Sequence, residues 1–454
     1  MISVSGISGP SCIVATNDAD ANPQSGVSLR NWLSYCGTLV ATFSVFGCFA
    51  VQGVVLARML GPEGRGAFAA TITYSQMLLY LGFLGAADLF AWRAATLTGA
   101  NASESASPQD APLRRSALLF GLLTGTVTML VCMACIGLAM PADKQLLIPL
   151  ALLIATTLPF QHVRLAVQAV DHGLGAFNRY NASRLVGTAA APVALGVAWL
   201  LGVRTVGTAV VVYCIAMFAA AGLVQWGMRE SWWGPVDPKP HTALRQGHGF
   251  AGSQVASELL DRSDLGLVLW LGTLVQQGFY ASAVPIAGTM AIVPMVVATY
   301  TFRRGAVGDV PLAASQATKK LLGLVAAQIC SGFALAALLP FVVPLLLGQA
   351  FVPAIEFAWY LIPAAAIRGI ALAIDGYLRG RQRSRPGILG RLVALGVLLA
   401  VTAGLYPSIG VFAVPIGLAM AQTVCAVIVT IAMYQEASRF RADPLPIARE
   451  HAGV

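Results

Sequence analysis

Long runs of apolar residues recur along the whole chain and are separated by short polar gaps. A helix that spans a bilayer needs about 20 apolar residues. A backbone in lipid must also satisfy its own hydrogen bonds, so each run predicts a spanning helix. Twelve spans are predicted: 31–58, 68–92, 116–140, 146–170, 177–201, 205–228, 248–274, 279–302, 319–347, 351–378, 387–406 and 409–435. Two boundaries rest on turn-like sequence, at Gln276-Gln277-Gly278 and at Tyr406-Pro407-Ser408.

Composition supports a membrane protein. Of the 454 residues, 57% are hydrophobic and 10% are charged, against about 25% charged in soluble domains. No single water-soluble core can bury so much apolar surface, whereas lipid tails accept it.

The chain has eight cysteines, and its one C-x-x-C pair, Cys132 and Cys135, lies in an apolar run without a nearby His or carboxylate. We therefore expect packing cysteines and neither a disulfide framework nor a metal site.

The basic residues divide unevenly between the two sides of the predicted bundle. The net charge is +9, and Lys and Arg lie in the gaps between apolar runs, which is typical of membrane proteins and argues against nucleic-acid binding. With a cytoplasmic N-terminus, the opposite side keeps only Arg58, Arg65, Lys144 and Arg204. The cytoplasmic side collects most of the others, including Arg164 and Arg179, and His162 and His172 flank a cytoplasmic loop. This bias predicts that both termini are cytoplasmic.

The two halves of the chain share a pattern of residues. Leu60-Gly61, Gly66, Phe68 and Ala69 follow the first span, and Leu271-Gly272, Gly278, Tyr280 and Ala281 follow the seventh at almost the same spacing. Gly173 precedes Arg184-Leu185-Val186 by eleven positions, as Gly380 precedes Arg391-Leu392-Val393. The matches favour an all-α membrane protein with two pseudo-symmetric six-helix lobes around a central cavity, which is a transporter architecture.

The predicted organisation follows from the spans and from this repeat. It comprises a flexible cytoplasmic tail at 1–30, an N-terminal lobe at 31–228, a cytoplasmic linker at 229–247, a C-terminal lobe at 248–436 and a second cytoplasmic tail at 437–454. The first 30 residues lack the basic start and the long apolar core of a cleaved signal peptide.

Several stretches resemble the polysaccharide branch of the multidrug/oligosaccharidyl-lipid/polysaccharide exporter superfamily. The most specific is LARMLGPEGRGAFAA at 56–70. Others are GLGAFNRYNASRLV at 173–186, LDRSDLGLVLWLGTLVQQGFYASAV at 260–284, and 346–392, which contains GQAFVPA and YLRGR. The likeness spans about residues 31–436. It implies a flippase that moves a lipid-linked oligosaccharide repeat unit across the bacterial cytoplasmic (inner) membrane by alternating access.

Charges inside the predicted seventh helix are the main site candidates, because intramembrane charge is costly. Glu258 and Arg262 are four residues apart and are expected to pair on one face, flanked by Asp261 and Asp264. A pyrophosphate-linked lipid needs a cation in the cavity, and the planar fork of Arg262 suits phosphate. The carboxylates are candidates for taking up the coupling ion. A self-neutralised cluster that locks helices together explains the same residues equally well.

Weaker candidates lie on three other predicted helices. Arg368 and Asp375 are seven residues apart in the tenth, and Asp88 lies in the second. Gln52 and Ser44 of the first helix are expected to line the cavity opposite Arg262. We assign substrate binding to Arg262, Arg368, Gln52 and Ser44, and ion coupling to Glu258, Asp261, Asp264, Asp88 and Asp375. Tyr74, Tyr80, Tyr280 and Trp359 suit sugar stacking or an aromatic belt at the membrane interface.

The sequence predicts a transporter and no enzyme, because no nucleophile–base arrangement, metal-ligand spacing or phosphate-binding Gly loop with a Lys is present. No cofactor is expected, and a proton or sodium gradient would drive transport. Expected partners are the lipid-linked oligosaccharide, membrane lipid and, as an open question, polysaccharide-assembly proteins. Two alternatives remain: a drug/cation antiporter of the same superfamily, and a membrane enzyme of polysaccharide assembly such as a polymerase.

Overall fold

The computed structural model is helical throughout the part that it describes, with no strand there. It describes residues 29–100, 110–227, 232–237, 239–295, 297–298, 301, 314–381 and 383–442. The predicted tails at 1–30 and 437–454 therefore lie largely outside the described residues, as does part of the linker at 229–247. The division into two lobes stays a prediction.

Thirteen α-helices lie in the described residues. They are α1 (Leu29–Leu81), α2 (Ala86–Ala100), α3 (Asp110–Ala139), α4 (Ile148–Ala155), α5 (Leu158–Gly173), α6 (Phe177–Leu200), α7 (Val206–Trp226), α8 (Pro240–Leu271), α9 (Leu274–Gly288), α10 (Ala314–Leu346), α11 (Ala354–Gly380), α12 (Arg385–Ile409) and α13 (Ala413–Ala442). Short 3₁₀ segments lie at Ala142–Leu147, Thr289–Ala291, Gln349–Phe351 and Gly410–Phe412.

Eight segments of the described chain are long and apolar enough to span a membrane. Two of them hold two helices each, because the backbone breaks at Gly61 (φ 67°) and at Gly410 (φ 58°), where glycine adopts a conformation that other residues resist. A ninth span is a pair, Ala142–Ala155 and Leu158–Gly173, bent by 41°. α8, which carries Glu258, Asp261, Arg262 and Asp264, is not among these segments, and the count of twelve crossings stays a prediction.

Several predicted boundaries were wrong, each for a local reason. Gln276-Gln277-Gly278 is the first turn of α9, because Thr273 and Gln276 form a capping box one turn earlier. Tyr406-Pro407-Ser408 completes α12, and the break falls at Gly410 instead. The span at 68–92 is interrupted between Leu81 and Ala86, where Leu84 and Gly85 adopt positive φ. The span at 146–170 breaks at Thr156 and Thr157.

The helices expose apolar side chains outward. Leu138 is 89% exposed and Phe333 76% exposed, as expected of side chains that face lipid. Inside the bundle, most contacts between the first and second halves of the chain join α1 to α8 and α9, and α2 to α8. These contacts place α8, with its charges, against the first half.

Candidate functional site

The two halves of the chain are in close contact at one end of the bundle. We call it the Gly61 end, and it includes Gly61, Lys144 and Gly272. A Cβ placed on Gly66 would lie 1.7 Å from the carbonyl oxygen of Leu274. A Cβ placed on Gly278 would lie 2.0 Å from the carbonyl oxygen of Pro62. Only glycine permits such an approach between helices. The two glycines that the repeat pairs in sequence are therefore in contact in the fold.

Three basic side chains of the first half donate to backbone carbonyls of the second half at the same end. Lys144 Nζ lies 2.9 Å from the oxygen of Gly272, and Lys144 is only 2% exposed. Arg65 Nη2 lies 3.1 Å from the oxygen of Ala281. Arg58 Nε lies 2.8 Å from the oxygen of Leu346 at the end of α10. Because helix C-termini carry partial negative charge, the Arg58 contact at the end of α10 is favourable. The Gly61 end is closed.

Arg262 of α8 bridges the two halves. Its Nε lies 3.3 Å from Glu258 Oε2, so the two residues pair as their spacing predicts. Its Nη1 lies 3.4 Å from Gln76 Oε1 in α1, and its Cζ lies 5.5 Å from the centroid of the Tyr80 ring. A cation over an aromatic face is attracted by the ring quadrupole. The Arg262 side chain is 29% exposed, so it is only partly covered by its neighbours.

Asp261 and Arg368 form an ion pair between α8 and α11. Arg368 Nη2 lies 2.6 Å from Asp261 Oδ2, and the Arg368 side chain is 45% exposed. Ser257 Oγ lies 3.5 Å from the same carboxylate oxygen. An ion pair with a solvent-exposed partner contributes little to stability. The Arg368 side chain remains accessible in this pair.

Asp264 is buried without a cation partner in the part of the chain that the structure describes. Its Oδ2 accepts a hydrogen bond from the Tyr280 hydroxyl at 2.7 Å, and its Oδ1 accepts one from the Leu265 amide at 2.8 Å. Asp264 is 4% exposed and Tyr280 is fully buried. A buried carboxyl without a cation suits reversible protonation, because its charge is expensive there.

Asp375 has a different environment from the other candidate acids. Its Oδ2 lies 2.7 Å from Arg391 Nη2 of α12 and 3.1 Å from Arg379 Nε of its own helix. The side chain is 2% exposed. Although Arg368 and Asp375 are seven apart on α11, each pairs with other residues. Asp375 therefore joins α11 to α12.

The remaining predicted site residues are not drawn into this network. Asp88 of α2 is exposed. Gln52 and Ser44 of α1 are half-buried, and no hydrogen bond or ion pair of either side chain lies within the described residues. Their expected position opposite Arg262 stays a prediction. Within the described residues no group of three His, Cys, Asp or Glu side chains lies where it could hold a metal ion.

His162 and Arg164 were predicted at the cytoplasmic edge of the span at 146–170, and both lie inside α5. His162 is fully buried, with Nδ1 3.0 Å from Thr124 Oγ1 and its ring edge-on to Phe83. Arg164 lies two residues further along the same helix and is half-buried. α5 begins at Leu158 after a bend, so both residues belong to the helix that follows the bend.

No protein-family model matches the chain, and no curated protein sequence does. Solved structures do match. The inward-facing conformation of a multidrug resistance MATE family transporter of the MOP superfamily is 14% identical, with a TM-score of 0.66 over 88% of this chain and 96% of that one. The lipid II flippase MurJ, in an inward closed conformation, is 12% identical, with a TM-score of 0.68 over 87% of each chain.

A further match is to the outward-facing conformation of a multidrug resistance MATE family transporter of the MOP superfamily. It is 14% identical, with a TM-score of 0.58 over 90% of this chain and 95% of that one. At these identities the similarity is one of fold. The chain is a multi-pass membrane protein with the fold of MOP-superfamily transporters.

Proposed function

We propose that this chain is a flippase that carries a lipid-linked oligosaccharide across the bacterial cytoplasmic membrane for surface polysaccharide synthesis. The observation that carries the proposal is the position of Arg262, which α8 of the second half presents to Gln76 and Tyr80 of the first half. A guanidinium on a partly exposed side chain, at a junction between halves, suits a phosphate group. A MOP-superfamily fold supports transport, and one structural neighbour is the lipid II flippase MurJ.

The mechanism would be alternating access between the halves. We assign the closed Gly61 end to the periplasmic side, which makes the opposite end the cytoplasmic mouth. The loop charges support this orientation. Substrate would enter from the cytoplasmic leaflet and dock its phosphates near Arg262. Opening of the contacts at Gly66, Gly278 and Lys144 would then release it.

Asp264 is our candidate for the coupling ion. Its carboxyl lacks a cation partner among the described residues and receives the Tyr280 hydroxyl at 2.7 Å. Glu258 and Asp261, by contrast, are paired with arginines. Protonation of Asp264 in the proton-rich compartment and release in the other would couple transport to a gradient. Asp264→Asn is expected to remove the dependence of transport on the pH gradient, whereas a dependence unchanged from wild type would exclude Asp264.

The second candidate function is a drug/cation antiporter, because one structural neighbour is a multidrug resistance MATE family transporter. A cation exporter needs an acidic cavity. Asp261 and Glu258 supply acidic groups, but each is matched by an arginine, which favours an anionic substrate. A polymerase-type enzyme is the remaining alternative, and the short loops at the Gly61 end leave little room for a catalytic site there.

Arg262→Ala tests the proposal in cells that depend on this protein for surface polysaccharide. We expect loss of the polysaccharide and accumulation of lipid-linked intermediates, with normal protein level and membrane insertion. Arg262→Lys should keep partial activity, because the charge remains but the planar fork is lost. Arg204→Ala, at an exposed position, is the matched control. Normal polysaccharide in Arg262→Ala cells would remove Arg262 from the mechanism, and gain of sensitivity to cationic drugs instead would favour the antiporter.

A further inference from the structure

A pocket lies within the second half of the chain, between α10, α11 and α13. Its empty volume is about 560 Å³, part of which is open to the surroundings. The wall is mostly apolar and includes Leu321 and Leu324 of α10, Ile374 of α11 and Met433 of α13. α10 packs mainly against α11 and much less against α13, which leaves room for the pocket between these two helices.

Two polar side chains of the wall differ in what they offer a ligand. The Thr301 hydroxyl lies 3.0 Å from the carbonyl oxygens of Ala298 and Ala373, so the chain itself satisfies it. Lys320 also lines the pocket but is exposed. Leu324 lies one turn further along α10 on the same face as Lys320. The pocket therefore combines an exposed basic side chain with an apolar wall.

The pocket lies at the end of the bundle opposite the Gly61 end. α10 reaches the Gly61 end at Leu346, whose carbonyl oxygen accepts a hydrogen bond from Arg58. Lys320 lies near the start of the same helix, about 39 Å away at the rise of an α-helix. In the orientation proposed above, this end is cytoplasmic. Anionic lipids give the cytoplasmic leaflet a negative surface potential that attracts basic side chains.

The helix ends beside the pocket carry an excess of positive charge among the described residues. Glu436 is three residues after Met433 of the wall and is 3% exposed. Its Oε2 lies 2.8 Å from Arg383 Nε, and its Oε1 lies 3.9 Å from Arg381 Nε. Asp375, next to Ile374 of the wall, likewise faces two arginines. The arginines outnumber the acids, and this surplus favours an anionic group near the pocket.

We propose that this pocket, called the Lys320 pocket, binds one anionic phospholipid of the cytoplasmic leaflet. One acyl chain would lie against Leu321, Leu324, Ile374 and Met433, and the phosphate would lie near Lys320. Basic pockets between membrane helices on the cytoplasmic side bind acidic lipid headgroups in this way. The lipid would fill the space between α10 and α13 and hold the two helices in place.

A resident phospholipid explains the pocket better than the transported substrate does. Every described residue of its lining belongs to the second half. The proposed substrate site at Arg262 lies instead where α8 meets Gln76 and Tyr80 of the first half. A ligand of the Lys320 pocket therefore does not bridge the halves. The inference goes beyond the proposed flippase function and does not depend on it.

Native mass spectrometry of the purified full chain in detergent micelles tests the inference. Phosphatidylglycerol and phosphatidylcholine with the same acyl chains would be titrated separately, and the Kd of the first bound lipid measured. We expect wild type to bind phosphatidylglycerol more tightly. Lys320→Gln should weaken that binding about fivefold, the effect of one basic residue near a membrane surface, and leave phosphatidylcholine binding unchanged. Lys319→Gln is the matched control, because Lys319 is exposed and lies outside the described pocket wall.

Leu324→Trp tests the apolar part of the pocket. The larger side chain would occupy the space of the acyl chain, so both lipids should bind less tightly. Leu322→Trp is the control, because Leu322 is 62% exposed and lies outside the described wall. The melting temperature shows whether each variant is folded. Phosphatidylglycerol should raise it more for wild type and Lys319→Gln than for Lys320→Gln.

Three results would overturn the inference. Equal affinity of wild type for the two lipids would show that the pocket does not select an anionic headgroup. Equal phosphatidylglycerol affinity in Lys320→Gln and Lys319→Gln would exclude Lys320 as the phosphate contact, even if Leu324→Trp fails to fold. Displacement of bound phosphatidylglycerol by an equimolar amount of farnesyl diphosphate would assign the pocket to a prenyl-linked ligand. The flippase proposal is tested separately, by Arg262→Ala.

Discussion

Gly66 and Gly278 face each other across the two halves, and each lies against the carbonyl oxygen of the residue four positions before the other. The contact is reciprocal: Gly66 meets Leu274 and Gly278 meets Pro62. Both glycines are separated by 212 positions, and so are Pro62 and Leu274. The relationship is what a pseudo-two-fold repeat requires when its equivalent helices pack on each other. It makes this contact the natural point at which the halves separate or close.

Gly66→Ala should prevent the close approach of α1 and α9. The added Cβ would lie 1.7 Å from the Leu274 oxygen, well inside van der Waals contact, and overpacking of this kind costs about 1–3 kcal/mol. We expect loss of transport with retained membrane insertion. The measurement is transport activity beside the melting temperature. Gly53→Ala, where a Cβ meets nothing within 4 Å, serves as control, and wild-type values for Gly66→Ala would disprove a role for the contact.

Lys144→Met should make the Gly61 end open more often. It removes the hydrogen bond from Lys144 Nζ to the Gly272 oxygen. Hydrogen bonds of charged groups contribute about 1.5–3 kcal/mol, which is about ten- to a hundredfold in an equilibrium. The rate of maleimide labelling at Gln277→Cys, in a chain without other cysteines, reports the opening because Gln277 is fully buried.

The control for Lys144→Met is Arg204→Met, at an exposed position. We expect labelling at wild-type rate in the control and faster labelling, by at least several-fold, in Lys144→Met. Identical rates in the two variants would mean that Lys144 does not hold this end closed.

Asp375→Asn and Asp261→Asn should differ in their effect on stability. Asp375 is 2% exposed and pairs with two arginines, and removing one partner of a buried ion pair costs about 3–5 kcal/mol. The Asp261 pair has a half-exposed arginine, and such pairs contribute about 1 kcal/mol or less. Denaturant unfolding in mixed micelles measures the difference. Equal destabilisation of the two variants would contradict the assignment of Asp375 to structure.

Reporter fusions test the orientation. Fusions at Val454 and within the linker at 229–247 should both report the cytoplasm, because the basic loops flank them. An even number of crossings in each half requires the same result at both points. A periplasmic signal from either fusion would reverse the assignment of the Gly61 end.

Local patterns in the sequence predicted much of this fold, because they report contacts between residues close in the chain. The apolar runs predicted the spans, and the four-residue spacing predicted the pair of Glu258 and Arg262. Helix breaks were harder, since the capping box at Thr273 and the positive φ of Gly410 outweighed the turn-like residues nearby. Boundaries depend on a few hydrogen bonds and dihedral angles, which apolar periodicity does not report.

Contacts between distant residues could not be predicted from one sequence. The sequence around Arg262 does not predict its contacts with Gln76 and Tyr80, which lie in the other half of the chain. Arg164 was counted among the cytoplasmic charges, because Lys and Arg near the ends of spans collect on that side. Its place against Gly187 follows from the packing of α5 on α6, which only the fold reveals.

The proposed activity of this chain is the movement of a lipid-linked oligosaccharide between leaflets. The most direct measurement is reconstitution of the purified protein into liposomes that contain a fluorescent, diphosphate-linked lipid saccharide, followed by the fraction of probe exposed to a membrane-impermeant quencher over time. We expect wild type to transfer the probe between leaflets and Arg262→Ala to behave as protein-free liposomes do. Equal transfer by wild type and protein-free liposomes, together with uptake of a cationic dye by wild type, would contradict flippase activity.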